Sequence, residues 1–441
     1  MRIPTLPGFD PQAFQKYLKN TGWLMMARVG SLFIKMIITS FAIPNYLGTE
    51  ANGMLNYPMT IVTFFMATAA LGLDAYLTRE LIGQPSKKDS LLGTAFMLRS
   101  IAGLMVIPLV FLTYFILTPA IPFSYIAIVS LCCVIQAINV VDCFFQATVR
   151  AKYIMYVQVG GNIISALIKL LLIILHAPLD YFIWCLVGDV AFIALGYVIS
   201  YTKLGFSLRA WSFDETLAKH LLRNSWPLAF SAILVTLYMK IDQIMIEYYL
   251  DNSQLGIYSP VVSLSESWYF IPVAISTSVF PALMNARKEN AQRYKKRLSN
   301  LYDLMCIISL SIAIATTILS PYIFKWFYKP EYASGAHVLA VHVWAGVFVF
   351  LGTASSQYLI AEGYVKLSMV RTAAGAIVNI LLNIFWIPRY GIVGAAYATL
   401  IAYFVSTFFL IFIPKTREQA FSMLKSLLLL NLTYKIIKRN H

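Results

Sequence analysis

Charge is what this chain has least of. Only 12% of its 441 residues are Asp, Glu, Lys or Arg, against about 25% in a soluble globular protein. A water-soluble fold cannot be clothed with so little polar surface. Cysteine is also scarce: Cys132, Cys133, Cys143, Cys185 and Cys306 all fall inside apolar runs. None has the spacing of a metal-ligand pair, so they read as small buried hydrophobes and imply no disulfide framework. His176, His337 and His342 are too scattered for a metal site. There is no glycine-rich nucleotide loop followed by Lys-Ser/Thr, no zinc motif and no nucleophile elbow. Catalysis, a bound cofactor and an ATP-driven pump are therefore not expected. No segment alternates like a barrel strand. The N-terminal MRIPTLPGFDPQAFQKYLKN lacks the parts of a cleavable signal peptide, so the first span is expected to direct its own insertion.

What remains is apolar: 59% hydrophobic residues, with a mean hydropathy of +0.73. The composition predicts an all-α polytopic membrane protein. Hydropathy places twelve transmembrane helices near 22–44, 54–74, 91–117, 121–145, 154–175, 181–202, 225–249, 257–284, 301–324, 336–361, 367–388 and 391–413. The run 421–432 is too short to span and reads as an interfacial or tail helix. Lys and Arg cluster in the N-terminus, in alternate loops such as 287–297, and in the tail that includes Lys435, Lys438 and Arg439. The opposite loops hold only Lys329 and Arg389. Both termini are therefore expected in the cytoplasm, and most of the net charge of +15 is positive-inside bias that needs no nucleic acid.

The most informative stretch is 224–284, two apolar runs joined at Asp251 to Gly256. It carries Lys240, Asp242, Glu247 and Glu266 within membrane-length spans. An ionised side chain at mid-span costs at least about 2.5 kcal/mol, so these four need partners or water. The words YMKIDQIMI, LGIY and SESWYFIP, with Pro281 closing the second helix, resemble the Wzx-type polysaccharide flippases of the MOP superfamily. That group includes the O-antigen repeat-unit transporters. RVGSLFIKMIITSFAIPNYLGTEANG running into LGLD (Leu71 to Asp74) resembles them too, as does NILLNIFWIPRYGIVGAAYATLIAYF, where Asn379 and Asn383 stand one turn apart. The resemblance covers nearly the whole chain and implies a MOP/MATE-like fold of two six-helix halves.

A weak internal repeat agrees. At a shift of 203, Trp23 matches Trp226, Tyr46-Leu47 matches Tyr249-Leu250, and Gly53 matches Gly256. The expected organisation is a six-helix half 1–202, a basic cytoplasmic linker 203–223, a second six-helix half 224–414 and a basic tail 415–441. An even number of spans between the copies makes the repeat parallel, and such transporters bind substrate between their halves.

The intramembrane charges admit two readings. Arg28 and Lys35 share one face of the first span, and Lys240 and Glu247 one face of the seventh. With Lys169, the cations Arg28, Lys35 and Lys240 are candidates to line a cationic cavity that binds an anionic headgroup. Alternatively, they pair with Asp74, Asp242 or Glu266 and only lock helices together. Asp242, Glu266 and Asp189 are candidates for ion coupling or counter-charge, and Asp74 for a gate or cap. Arg99, Lys325 and Arg371 lie near span ends, where they can snorkel to the headgroups.

The resemblance implies a flippase that moves an undecaprenyl-pyrophosphate-linked oligosaccharide from the cytoplasmic to the periplasmic leaflet of the inner membrane. Alternating access coupled to H+ or Na+ is the implied mechanism, with other glycan-assembly membrane proteins as the implied partners. One rival is a MATE-like cation or drug antiporter, whose cavity should be dominated by acids. Another is a membrane glycosyl polymerase or ligase. That enzyme needs catalytic groups outside the membrane, and the longest outside loop here is about a dozen residues.

Overall fold

The computed structural model describes residues 11–429, with side chains from Gly22 onward except those of Pro281 and Val365. Arg2, Lys435, Lys438 and Arg439, used above to orient the chain, lie outside the described residues, as do the side chains of Lys16 and Lys19.

Among the described residues every regular element is helical. This follows from an apolar setting in which each backbone N–H must find its acceptor within the segment. The hydroxyls inside the spans obey the same rule. Thr63, Thr113, Thr236 and Thr353 each donate to the carbonyl four residues earlier, at 2.7 to 2.9 Å. Where helices begin in polar loops, side chains cap them. Asp214 accepts from the amides of Thr216 and Leu217, Asp251 from that of Gln254, and Asn290 from those of Gln292 and Arg293.

By length and apolarity nine helical runs of the described residues can cross a membrane, or ten when the bent pair Asn252–Phe280 and Ala282–Glu289 is one span. Hydropathy predicts twelve. Part of the difference is that two runs are far longer than the roughly 20 residues a crossing needs: Gly22–Gly83 has 62 and Lys366–Phe412 has 47. The first also turns at the positive-φ pair Leu71 and Gly72, and within the helices of each run one glycine has non-helical backbone, Gly48 (φ 81°, ψ 176°) and Gly391 (φ 59°, ψ −146°). Gly48 and Gly391 sit where hydropathy divides spans one and two, and spans eleven and twelve. A single residue turns the chain there, so no loop of any length interrupts the helix.

The chain divides into two compact units. The first comprises residues 1–47 and 54–236, the second residues 48–53 and 237–441. The handover near Thr236 lies within one continuous helix, Glu215–Tyr249, and not in the stretch 203–223.

The first unit is built from α1 (Pro11–Lys35), a π-helical turn Met36–Ala42, α2 (Ile43–Ala69), α3 (Leu73–Gly83) and α4 (Lys88–Leu117). It continues with α5 (Phe123–Ser130), α6 (Cys132–Ile135), α7 (Val140–Ala147), α8 (Ala151–Ile174), α9 (Leu179–Lys203) and the first part of α10 (Glu215–Tyr249). Its core gathers Leu73, Leu77, Leu91, Val141, Phe144, Phe145 and Tyr201, and the 203–223 stretch docks onto it through Phe206 and Trp211. Lys88 and Arg150 approach the Phe206 ring at 4.3 and 5.3 Å, which holds two loop cations on an aromatic patch.

The second unit holds the rest of α10, then α11 (Asn252–Glu266), α12 (Phe270–Glu289), α13 (Ala291–Phe327), α14 (Gly335–His342), α15 (Ala345–Ala361), α16 (Val365–Phe408) and α17 (Arg417–Leu427). Helix α12 runs on past position 281, where the sequence suggests closure, but the chain bends by 41° there. Helix α17 is a docked tail helix: Ala420 and Met423 enter the core of Tyr302, Met305 and Phe350, and Ser426 Oγ donates to Asp303 at 2.6 Å.

Candidate functional site

In the first unit, the short turn after Ile174 folds α9 back along α8, and the two helices face each other with polar residues mid-span. Lys169 Nζ donates to Asp189 Oδ2 at 2.6 Å, and Ser165 Oγ donates to Asp189 Oδ1. Lys169 is buried (6% exposed). Lys35, at the end of α1, stands within electrostatic range of both charges. These groups line a cavity of about 240 Å3 together with Asn56 and Asn162. Among the described residues no carboxylate lies within ion-pair distance of Lys35, so the cavity holds two cations against one acid. A cavity with a surplus cation can take an anionic group through charge-assisted hydrogen bonds.

Arg28 does not line this cavity. It is exposed and lies within electrostatic range of Asp142, whose Oδ2 accepts from Gln146 at 3.1 Å. Asp74 is apart as well, accepting from Arg99 at 2.7 Å and from Cys143 Sγ at 3.6 Å. Arg99 is only 3% exposed. It therefore does not snorkel: it is buried and reaches the exposed carboxylate of Asp74 at the start of α3.

In the second unit, α10 and α11 are likewise joined by a tight turn at Asp251, which brings Asp242 and Tyr258 together. The Tyr258 hydroxyl donates to Asp242 Oδ2 at 2.6 Å, with both residues buried. Thr399 adjoins the same hydroxyl. Asn379 donates to Thr399 at 3.4 Å and Asn383 to Asn379 at 3.1 Å. On the other side Lys240 lies within electrostatic range of Asp242, Glu266 and His342. His342, 2% exposed, shares a hydrogen bond of 2.9 Å with Ser265 Oγ. Here the acids outnumber the cation, the reverse of the first unit. Among the described residues no group of three or more His, Cys, Asp or Glu could hold a metal ion.

Arg371 corrects a further expectation. It is 5% exposed, and its Nη2 donates to the Gly352 carbonyl at 2.8 Å and to Ser356 Oγ at 2.7 Å. A buried guanidinium with no carboxylate within 4 Å among the described residues is a membrane-interior cation that its nearness to a span end conceals. Tyr258, Ser165 and His342 were also not legible as site residues from hydropathy. Two of them carry a signal nonetheless. In a tight helical hairpin, residues about equally far from the turn face each other, and this mirror rule pairs Asp242 with Tyr258 and Ser165 with Asp189. His342 carries none, since Ser265 is 77 residues away.

With this geometry established, comparison with known proteins becomes informative. The family described as "Polysaccharide biosynthesis protein" matches residues 17–287, more than half of the chain. The chain belongs to the polysaccharide biosynthesis protein family. A second family, MatE, matches residues 227–385 and so covers most of the second unit.

The relatives found by sequence are distant. The probable low-salt glycan biosynthesis flippase Agl15 of Haloferax volcanii is 25% identical over 211 residues, 47% of this chain and 43% of its own length. The probable flippase AglR of the same organism is 24% identical over 169 residues, 37% of this chain and 35% of its own. An uncharacterized membrane protein of Methanocaldococcus jannaschii is 31% identical over 133 residues, 29% of this chain and 26% of its own. The chain thus aligns with less than half the length of these relatives. Solved structures agree on the fold. An inward-facing multidrug resistance MATE transporter of the MOP superfamily superposes with TM-score 0.71 at 13% identity, covering 93% of this chain and 99% of its own. The lipid II flippase MurJ in an inward closed conformation gives 0.70 at 16% identity, covering 95% and 93%. This polysaccharide biosynthesis family member is therefore a multi-pass membrane protein with the MATE and MurJ fold.

Proposed function

We propose that this chain is a flippase that carries a polyprenyl-pyrophosphate-linked oligosaccharide, of the undecaprenyl type, across the inner membrane by alternating access. The observation that carries the reading is the first unit's cavity, where Lys35 stands beside the Lys169–Asp189 pair with no carboxylate of its own among the described residues. A pyrophosphate is doubly anionic and bonds ammonium groups strongly. Family membership and the flippases among the relatives support the same substrate class. Lys240 and Arg28 remain candidates for contact with the same headgroup, and Asp74 for a gate through its tie to Arg99.

A MATE-like cation antiporter is the second reading, and one observation favours it. The second unit, which the MatE family matches in large part, buries Asp242 beside Glu266 with a single lysine nearby. In the flippase reading these carboxylates couple transport to H+ or Na+. In the antiporter reading they bind the cationic substrate directly.

The test is flipping of a fluorescent undecaprenyl-pyrophosphate glycan in proteoliposomes, under a proton or a sodium gradient. Wild type should flip it, and Lys35→Ala and Lys240→Ala should lower the rate about tenfold or more while folding normally. Flipping that is equal in all three proteins would remove the cations from the proposal. No flipping by wild type, with uptake of a cationic dye under the same gradients, would establish the antiporter instead.

A further inference from the structure

The cavity of the first unit offers more than charge. Asn162, Ser165 and Lys169 follow one another at spacings of three and four on α8, so they form one stripe along its inner face. Ser165 and Lys169 both donate to Asp189, one to each carboxylate oxygen. The acid of the cavity is thereby occupied on both sides.

Asn162 is not. The residue is 5% exposed, and its Nδ2 donates to the Gln158 carbonyl at 2.7 Å. That bond fixes which end of the amide is oxygen, because only the NH2 end can donate to a carbonyl. Oδ1 is left without a protein partner among the described residues, and it opens onto the cavity. The unpartnered Oδ1 of Asn383 in the second unit is, by contrast, sealed in packing. Buried polar atoms rarely go unpaired in a native fold, so an oxygen placed like that of Asn162 is matched by what enters the cavity.

A second unmatched group stands on another wall. The hydroxyls of Thr63, Thr113, Thr236 and Thr353 turn back onto their own helices, but that of Thr39 has no partner among the described residues. Thr39 lies in the π-helical turn Met36–Ala42, four residues beyond Lys35, and both line the cavity. Such π-turns are rare and are frequent at functional sites. One wall therefore presents an ammonium and a hydroxyl, and another presents an accepting oxygen that lacks a donor.

At about 240 Å3 the cavity is smaller than the roughly 300–1,000 Å3 of a whole small-molecule site. It suits the phosphate-bearing end of a ligand and not a complete oligosaccharide. We propose that the cavity reads the first sugar of the carried glycan. Lys35 and Thr39 donate to phosphate oxygens, and one hydroxyl of the sugar joined to that phosphate donates to Asn162 Oδ1. Asn162 is thus a specificity-determining residue, and the substrate class narrows to glycans whose first sugar carries a donor at that position. A sugar deoxygenated there leaves Oδ1 unmatched, which is how a polar site rejects an analogue. The inference rests on the flippase reading, which puts the phosphate in the same cavity.

The test follows thermal unfolding of the full-length protein in nanodiscs of zwitterionic lipid, with soluble sugar phosphates as probes. These are glucose 1-phosphate and its 2-, 3-, 4- and 6-deoxy forms. Glucose 1-phosphate should raise the unfolding midpoint of wild type, and one deoxy form should need about tenfold more for the same shift. In Asn162→Leu and Asn162→Ala that form should act like glucose 1-phosphate; the alanine adds no bulk and so controls for a packing effect of the leucine. Lys35→Ala should weaken all probes alike. A wild type that treats every form equally, or Asn162 variants that keep its preference, would overturn the reading of the sugar. If Lys35→Ala still weakens every probe in that case, the anion site and the flippase reading stand. No response of wild type to any probe, or an equal response of Lys35→Ala, would remove the anion site itself and this inference with it.

Discussion

Gly53 and Gly256 each receive the backbone of the helical turn that leads into the other. A Cβ on Gly53 would lie 1.8 Å from the carbonyl oxygen of Asn252, and one on Gly256 would lie 1.7 Å from that of Thr49. Thr49 stands four residues before Gly53 and Asn252 four before Gly256, and both pairs are related by the same shift of 203. The faint repeat in the sequence is thus a reciprocal contact in the structure, of the small-residue kind that lets helix backbones touch. Asn52 Nδ2 donates to the Gly256 carbonyl at 2.8 Å, and Ser253 Oγ to Thr49 Oγ1 at 2.8 Å.

Alanine at either glycine has no room, since the opposing atoms are backbone. Gly53→Ala and Gly256→Ala should each lower stability by about 2 kcal/mol or more, read as a lower unfolding midpoint in detergent. The double variant should cost less than the sum, because one forced separation serves both methyls. Gly160→Ala is the control: nothing lies within 4 Å of its added Cβ, so it should be neutral or slightly stabilising.

The Lys169–Asp189 pair should behave as a buried pair does. Lys169→Met or Asp189→Leu alone leaves one charge inside the span and should cost roughly 3–5 kcal/mol. Lys169→Met with Asp189→Leu should recover most of that in thermal unfolding. Transport should stay low in all three, since the cavity loses its polar wall. Full transport by the double variant would reduce the pair to a helix lock.

Tyr258→Phe removes the donor from a buried carboxylate, together with the hydroxyl that Thr399 adjoins. The expected loss is about 1–3 kcal/mol, measured by thermal unfolding. In liposomes, the dependence of transport on the ion gradient should change in Tyr258→Phe and vanish in Asp242→Asn. An unchanged gradient dependence in Asp242→Asn would remove this carboxylate from coupling.

Acid should loosen the start of α10 through Asp214. Its carboxylate accepts from the Thr216 hydroxyl and amide and from the Leu217 amide, and these bonds hold its pKa below the usual value of 3.8. A depressed folded-state pKa means the stabilisation is present above about pH 4 and is lost as pH falls through the lower value. Hydrogen exchange at the amides of Thr216 and Leu217 should therefore quicken below pH 4. Asp214→Asn keeps the cap and should remove that pH dependence.

Much of this was legible in advance. Spans were readable because an apolar run of membrane length has few other fates, and the turns at Asp251 and after Ile174 were readable from polar and proline punctuation. The divisions at Gly48 and Gly391 were read as loops because hydropathy registers polarity and cannot see that one positive-φ residue suffices. Arg99 and Arg371 were misread for another reason. Position along a span says how far a side chain is from water, but not whether Asp74 or the Gly352 carbonyl is nearer. The charged clusters divide the same way. Ser165 with Asp189 and Asp242 with Tyr258 follow from hairpin symmetry, whereas His342 reaches Ser265 only through tertiary packing.

The placement of residues 48–53 in the second unit has a consequence for how the protein is made. Asn52 leaves the ribosome 204 residues ahead of Gly256, whose carbonyl it binds. At about 5–20 residues per second, that is a wait of roughly 10–40 seconds. During that time six residues of the finished second unit exist without any of their neighbours. A fragment beginning at Leu237 would be born without them, its Asn252 turn facing an empty slot. The two parts of this chain are thus separable as packing units but not as products of synthesis: the second is complete only when it has recovered a piece made within the sequence of the first.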